Sequence, residues 1–366
     1  MAGVYISYPF CAQKCTYCNF ASGVFPSALE PLYLRALQAE IAAHNWEWTP
    51  DTIYLGGGTP SQMTVDALDR LLAPIPGKPW REATIEVAPG TITAAKARAW
   101  RDCGINRVSL GVQSFVRREL SKTGRKHTAE IVATEVELLR DCDISNINID
   151  LIAGLPHQTI DSWRDSLAWI ERLSPPHVSV YMLEVDEDSR LGREVLFEGK
   201  RYGAPEVPGD ALIVDMYETA VAELARLGVA RYEISNFARP GFESVHNLKY
   251  WRLEPYAGFG ADSHSFDGRM RSQNVESARD YVDRWERGES PHAQSTDANA
   301  AEEKFFVGLR LNEGIRPNAD EWKRFGEPIE RFVADGLLAR QGDTIRLTDR
   351  GVLVSNEVFE EFISVE

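Results

Sequence analysis

Six short apolar runs in the first 190 residues alternate with helical patterns, and this alternation limits the fold more than any other feature of the chain. The runs fall at residues 4–8, 52–55, 83–87, 106–110, 147–152 and 177–183. Helical spacing of apolar residues occupies 32–43, 64–72, 93–103, 128–139 and 162–173. Thr64 suits an N-cap, and Gly104 stands just past the end of a helix, where a left-handed residue is wanted. Strand–helix alternation predicts an α/β fold, a parallel sheet with crossover helices, either open or curved into a barrel. In both forms ligands gather at the carboxyl ends of the strands. Those ends carry the suggestive residues: Cys11 to Cys18 after the first run, Gly56 to Thr59 after the second, Glu86 at the end of the third, Gln113 after the fourth and Asp150 late in the fifth.

Cys11, Cys15 and Cys18 stand within eight residues of one another. Closely spaced thiolates are the usual protein ligands of iron–sulfur clusters. A 4Fe–4S cubane has four irons, so three cysteines leave one iron open to a small molecule. A structural zinc site wants four ligands, usually in two close pairs, and the next histidine is His44. A disulfide framework fits poorly, because the chain has five cysteines and Cys103 and Cys142 are isolated. Those two read as small buried hydrophobes.

The net charge of −15 disfavours nonspecific nucleic-acid binding. The start of the sequence lacks a charged and then apolar leader, and no apolar stretch approaches the length of a membrane span. A cytoplasmic protein with reduced cysteines is expected; peripheral membrane contact stays open. Beyond residue 190 the pattern changes. A helix is expected over 210–227, an aromatic, Gly- and Asn-rich stretch over 230–275, and an exposed connector over 276–300. Residues 301–366 offer two helices and a short hairpin, which suggests a winged-helix-like unit, read as protein structure rather than DNA binding because of the acidity. The word His246-Asn247-Leu248-Lys249-Tyr250-Trp251 reads in two ways. It is a packed aromatic turn, or it offers a neutral imidazole for haem iron beside flat rings for a porphyrin.

The cysteine spacing, Cys-x3-Cys-x2-Cys with Tyr17 before the last cysteine, resembles the radical SAM superfamily. The resemblance implies that Cys11, Cys15 and Cys18 hold a 4Fe–4S cluster whose open iron is chelated by S-adenosylmethionine. It assigns the methionine amino group to Gly57, Gly58 and Thr59. Tyr5, Glu86, Gln113, Arg125 and Asp150 match positions around the S-adenosylmethionine pocket of the coproporphyrinogen dehydrogenase branch. Arg125 suits a carboxylate and Asp150 a ribose hydroxyl pair. Over nearly the whole length the chain is similar to the HemW-type haem chaperones of that branch, including Tyr232 to Ala238, Gly258 to Ser265 and the HNxxYW word with His246. The dehydrogenase, HemN, has a further cysteine where Phe20 stands and a long extension before the cluster, whereas ten residues precede Cys11 here.

The resemblance therefore implies a partial (β/α)6 radical SAM barrel over 1–190, an α+β extension over 191–295 and a winged-helix-like domain over 296–366. The function it implies is a haem chaperone serving respiratory haem proteins. The cofactors are a 4Fe–4S cluster, S-adenosylmethionine and haem, with an electron donor for the cluster as partner; homodimer formation stays open. The alternative is an oxygen-independent coproporphyrinogen III dehydrogenase, or another radical enzyme acting on a porphyrin. His246 is the first candidate for the haem ligand, with His264 and Cys103 as others.

Overall fold

The computed structural model describes residues 2–363. Six parallel strands, β1 (Ala2–Tyr8), β2 (Pro50–Gly57), β3 (Glu82–Val87), β4 (Arg107–Gln113), β5 (Asn146–Ala153) and β6 (His177–Met182), lie side by side in chain order. Helices α1 (Leu29–Ala43), α2 (Val65–Leu72), α3 (Ala94–Cys103), α4 (Arg117–Thr123), α5 (Ala129–Asp141) and α6 (Ile160–Leu173) fill the crossovers. Thr64, Thr93, Thr128 and Thr159 each accept a backbone N–H in the first turn of the helix they precede. Gly104 takes the left-handed conformation that stops α3. The alternation expected from the sequence is thus an α/β arrangement of six parallel strands with helical crossovers.

The strands alternate along their length. Ile6, Leu55, Ile85, Leu110, Ile149 and Val180 are buried in one continuous core with the helices. The intervening residues, such as Tyr5, Tyr54, Glu86, Ser109, Asp150 and Ser179, point the other way. Their register sets Glu86 beside Ser109, Ser109 beside Asn148, and Asn148 beside His177. A parallel sheet covered by helices on both faces would read as unbroken apolar runs. A polar inner row belongs to a sheet that curves around an interior built for polar contacts.

Residues beyond the barrel extend the sheet at both edges. After α7 (Arg190–Leu196) and α8 (Asp210–Arg226), β7 (Ala230–Arg231) and β8 (Asn236–Ala238) join the β6 side in antiparallel fashion. Helix α9 (Val245–Trp251) follows. Then β9 (Tyr256–Phe259) pairs parallel to β1 and is continued by β10 (His264–Phe266) and β11 (Met270–Asn274). The expected connector over 276–300 is instead ordered. It contains α10 (Ala278–Glu286), packed on α1, and β12 (His292–Asp297), the outermost strand. Ala278, Tyr281 and Val282, the i, i+3, i+4 stripe of α10, are buried beneath a highly charged outer face, and that charge is what made the stretch read as exposed. Strand β12 is exposed along its whole length and carries no apolar signal. Helices α11 (Ala300–Gly308) and α12 (Ala319–Ala334), the hairpin β13 (Leu338–Gln341) with β14 (Thr344–Leu347), and α13 (Asp349–Leu353) with α14 (Ser355–Glu360) complete the chain. Phe305, Phe325 and Phe362 form the centre of that last unit.

Candidate site at the mouth of the barrel

The cysteine loop leaves β1 at Tyr8 and is pinned at its base, where Cys11 N donates to Gly23 O (2.8 Å) and Gly23 N to Pro9 O (2.9 Å). Its far side is tied to two other elements. Thr16 N donates to Thr123 O at the end of α4 (3.2 Å), and Leu191 N of α7 donates to Thr16 O (2.8 Å). Cys11, Cys15 and Cys18 are half-buried free thiols on this one loop. They are not drawn into a closed set: among the described residues no three His, Cys, Asp or Glu side chains stand close enough to hold a metal ion between them. Burial pushes the Cys11 thiol above its ordinary range, with Thr59 and Ser22 hydrogen bonds acting in the opposite direction.

The glycine loop is stitched to the cysteine loop. Gly58 N donates to Tyr8 O (2.7 Å) and Thr59 N to Phe10 O (2.9 Å). A Cβ at Gly58 would lie 2.7 Å from Phe10 O, and Gly57 has a φ of +104°, so both positions need glycine for backbone reasons alone. On β4, a bulge before Gln113 gives that residue a φ of +70°. The Gln113 and Arg125 side chains converge over Gly111, whose added Cβ would meet Gln113 Nε2 at 3.1 Å and Arg125 Nη2 at 3.4 Å. Arg125 Nη2 donates to the Tyr17 hydroxyl (3.2 Å), while its Nε is buried without a partner. Tyr17, Gln113 and Arg125 therefore form one group. The orphaned donor on a buried guanidinium is the arrangement an incoming carboxylate would satisfy.

A second group lies deeper. Tyr5 stacks on Tyr54 with ring centroids 6.1 Å apart, and the Tyr54 hydroxyl donates to Glu86 Oε1 (3.0 Å). Asp150 accepts from Ser109 Oγ (3.1 Å) and Asn148 Nδ2 (2.7 Å). Burial, reinforced by the Asp150 charge, raises the Glu86 pKa to about 7. Asp150 is likewise raised by burial. Two half-buried carboxyl groups that share this interior favour a ligand that brings hydroxyls, an amino group or positive charge. The residues present thus fit a zwitterionic, ribose-bearing cofactor beside three thiols.

His246 is hydrogen-bonded within a packed turn, one of the two readings of its motif. Helix α9, which carries it, lies across the amino ends of β1 and β2, opposite the cysteines. A Cβ on Gly3 would lie 3.0 Å from the His246 ring. Nδ1 shares a hydrogen bond with Thr52 Oγ1 (2.9 Å) and Nε2 with the Tyr250 hydroxyl (2.7 Å). Burial and nearby Lys249 lower its pKa to about 3. As folded, this imidazole has no free nitrogen for iron. The other candidates also stand apart from the mouth: His264 is exposed on β10, and Cys103 is buried at the end of α3.

Comparison with known proteins bears on this arrangement. The radical SAM superfamily model matches residues 5–170, and the HemN C-terminal domain model matches residues 296–354. The heme chaperone HemW of Bacillus subtilis is 33% identical, covering 99% of this chain and 99% of that protein. The chain belongs to the HemW family. The HemW of Lactococcus lactis is 33% identical over 98% of this chain and 96% of its own length, and that of Escherichia coli 29% over 99% and 98%. Among solved structures, coproporphyrinogen III oxidase (HemN) from Escherichia coli, described as a radical SAM enzyme, matches with a TM-score of 0.84. The match covers 99% of this chain and 89% of HemN at 21% identity, a likeness of fold. Membership in a radical SAM family implies a 4Fe–4S cluster and S-adenosylmethionine.

Several polar residues of the interior were not singled out from the sequence. Asn148 Nδ2 donates to Ser109 Oγ (2.8 Å) and Ser179 Oγ (3.0 Å), and His177 Nδ1 is 2.7 Å from Asn148 Oδ1. This net holds Asp150 in place from below. The signal was available as the period-2 alternation Asn146-Ile147-Asn148-Ile149-Asp150 inside a strand otherwise taken as apolar.

Proposed function

We propose that this chain binds haem and hands it to haem-requiring respiratory proteins, with a 4Fe–4S cluster on Cys11, Cys15 and Cys18 and S-adenosylmethionine beside it. The observation that carries the reading is the end-to-end similarity to heme chaperones, 33% identical over 99% of both chains. In this reading Arg125 and Gln113 hold the methionine carboxylate, the loop of Gly57, Gly58 and Thr59 meets its amino group, Glu86 and Tyr5 line the pocket, and Asp150 takes the ribose. When bound, the cluster supplies one-electron chemistry at its open iron. The protein's own part is to fix three thiolates on a loop anchored at Gly23, Thr123 and Leu191 and to keep water from the Glu86–Asp150 interior. An electron donor for the cluster and a cytoplasmic setting complete the proposal. The absence of any helix long and apolar enough to cross a membrane, among the described residues, accords with it.

The test is an anaerobic titration of hemin into cluster-loaded protein, with coproporphyrinogen III offered in parallel. Saturable uptake near one haem per chain without formation of protoporphyrinogen IX is the expected result. Absence of specific haem uptake, or conversion of coproporphyrinogen III, overturns the proposal.

A further inference from the structure

The chain carries a net charge of −15, yet one stretch beside the cysteine loop runs the other way. Between 117 and 126 it holds Arg117, Arg118, Lys122, Arg125 and Lys126 against one carboxylate, Glu119. That carboxylate is buried and accepts the Ser114 hydroxyl (2.6 Å), so it does not offset the charge at the surface. Arg125 is turned inward onto Tyr17. Arg117, Arg118, Lys122 and Lys126 are exposed on α4 and the turn that follows it. Among the described residues none of these four is ion-paired with a carboxylate; Arg118 Nη2 lies 3.3 Å from His157 Nδ1. Unneutralised cations in an acidic molecule concentrate positive potential in one place.

That place adjoins the cysteines. Thr16 stands between Cys15 and Cys18, and its N–H and hydroxyl donate to Thr123 O (3.2 Å) and Lys122 O (3.3 Å) of α4. A Cβ at Gly124 would lie 2.6 Å from Gln13 Nε2, so the loop and the end of α4 are in contact. On the loop itself Lys14 donates to Phe20 O (3.0 Å), and Arg190 at the start of α7 donates to Lys14 O. Phe20 has 66% of its surface in water and Val24 64%. Exposed Val185, Leu196 and Phe197 lie on the segment after β6. That segment is tied to the loop by Asn19 Nδ2 donating to Asp186 Oδ2 (2.8 Å) and by Leu191 N donating to Thr16 O (2.8 Å). Large apolar side chains left in water and gathered together mark an interaction surface. Aromatic and arginine side chains are the residues such surfaces favour. Charge near α7 is mixed, since Glu187 and Asp188 are exposed there, so the positive pole is α4.

We infer that α4 and the Lys14–Phe20 rim of the loop dock a small acidic protein that carries single electrons; the inference rests on the cluster reading above. An acidic partner is attracted to α4 and repelled by the rest of this acidic chain, which orients it. Once docked it lies against the loop that bears Cys11, Cys15 and Cys18, and electron transfer between proteins falls steeply with distance. Electron-carrier encounters are small and transient, so a compact charged patch suffices. The HNxxYW word lies at the opposite, amino end of the strands, beside Gly3, so a haem acceptor drawn to that end leaves this face open. The carrier gives up one electron, the cluster on the loop receives it, and no bond or proton moves. Phe20 is the apolar anchor, and Arg117, Arg118 and Lys122 are the steering charges.

The test uses the full-length, cluster-loaded protein without oxygen, and a bacterial flavodoxin, an acidic flavin protein, as the probe. Binding is read by calorimetry at low and high salt. Cluster reduction is read by loss of visible absorbance, once with flavodoxin hydroquinone and once with dithionite. Wild type is expected to bind flavodoxin with an affinity that falls as salt rises. The double variant Arg117→Glu, Lys122→Glu weakens binding about tenfold or more and slows reduction by flavodoxin to match. Dithionite, too small to need a docking face, reduces the variant as it does wild type. Phe20→Ser weakens binding without changing its salt dependence. Lys323→Glu, a charge reversal at an exposed position of α12, binds as wild type. Where circular dichroism shows that the double variant does not fold, Arg117→Gln, Lys122→Gln decides, with a smaller loss in the same direction. A folded charge variant that binds flavodoxin and is reduced by it like wild type overturns the inference. So does a wild type that binds no flavodoxin, including the case in which phosphatidylglycerol vesicles bind through these residues instead. In those cases the cluster reading stands, because the absorbance of the loaded protein reports it separately. A wild type that takes up no cluster overturns that reading, and the inference with it.

Discussion

At the scale of single residues, the interior is defined by charges held where water is scarce. Glu86 has a folded pKa of about 7 against an ordinary 4.5, with burial as the main cause. Between those values the folded state binds a proton that the unfolded chain releases, so stability falls as pH rises through that window and the loss is complete above about 7. The ceiling on this effect is of order 3 kcal/mol. Glu86→Gln removes the titrating group. In the cofactor-free protein this variant should match wild type near pH 5 and exceed its melting temperature at pH 8; a gap that does not grow with pH contradicts the assignment. Cys15→Ser should abolish the cluster, because two thiolates do not retain a cubane. Iron analysis and the visible absorbance of reconstituted protein report this, and retained iron with full absorbance refutes the ligand set. If the S-adenosylmethionine and haem sites are separate, Asp150→Ala should weaken S-adenosylmethionine binding by calorimetry more than haem uptake, and equal loss of both would point to coupling or global damage.

At the scale of elements, helix α9 shows how the fold closes its amino end. The buried Glu82 carboxylate accepts Val245 N (3.0 Å), His246 N (2.9 Å) and Ser244 Oγ (3.4 Å), which seats the start of the helix on β3. Lys249, almost fully buried, is bonded to Asp51 at 2.8 Å. Glu82→Ala leaves buried donors without an acceptor and should cost roughly 2–4 kcal/mol, read in urea denaturation, with Glu82→Gln recovering part of it. Equal stability of Glu82→Ala and wild type would show that α9 is held by packing alone.

The same scale explains what could be read beforehand. The six barrel strands and five of their helices were legible from apolar periodicity, helped by threonine caps on α2, α3, α5 and α6, whereas the short, uncapped α4 was not expected. Helix α10 and strand β12 were not legible, since their buried surface is three residues in one case and none in the other. The HNxxYW word was legible as a motif but not in its orientation. Whether His246 faces solvent or Thr52 depends on contacts 194 residues apart in sequence.

At the scale of the whole molecule, the sheet joins two distinct regions in one body. The cysteine loop, Arg125 and the Glu86–Asp150 pair occupy the carboxyl ends of β1 to β5, while a groove lined by His44, Tyr256 and His292 lies on the outer edge built by β9 to β11. The aromatic sequence Tyr5, Tyr54, His246, Tyr250, Tyr256 runs ring to ring between them, with successive centroids 6.1, 5.3, 5.1 and 4.7 Å apart. A carrier must bind haem and then release it to a partner, and that release is where the central claim is most exposed. Haem-loaded protein mixed with a haem-free respiratory cytochrome, followed by the Soret band and the acceptor's activity, is the direct measurement. The account predicts that haem moves to the acceptor faster than from an equal amount of haem on serum albumin, with the acceptor becoming active. Haem that stays on the chain, or that moves no faster than from albumin, would contradict it.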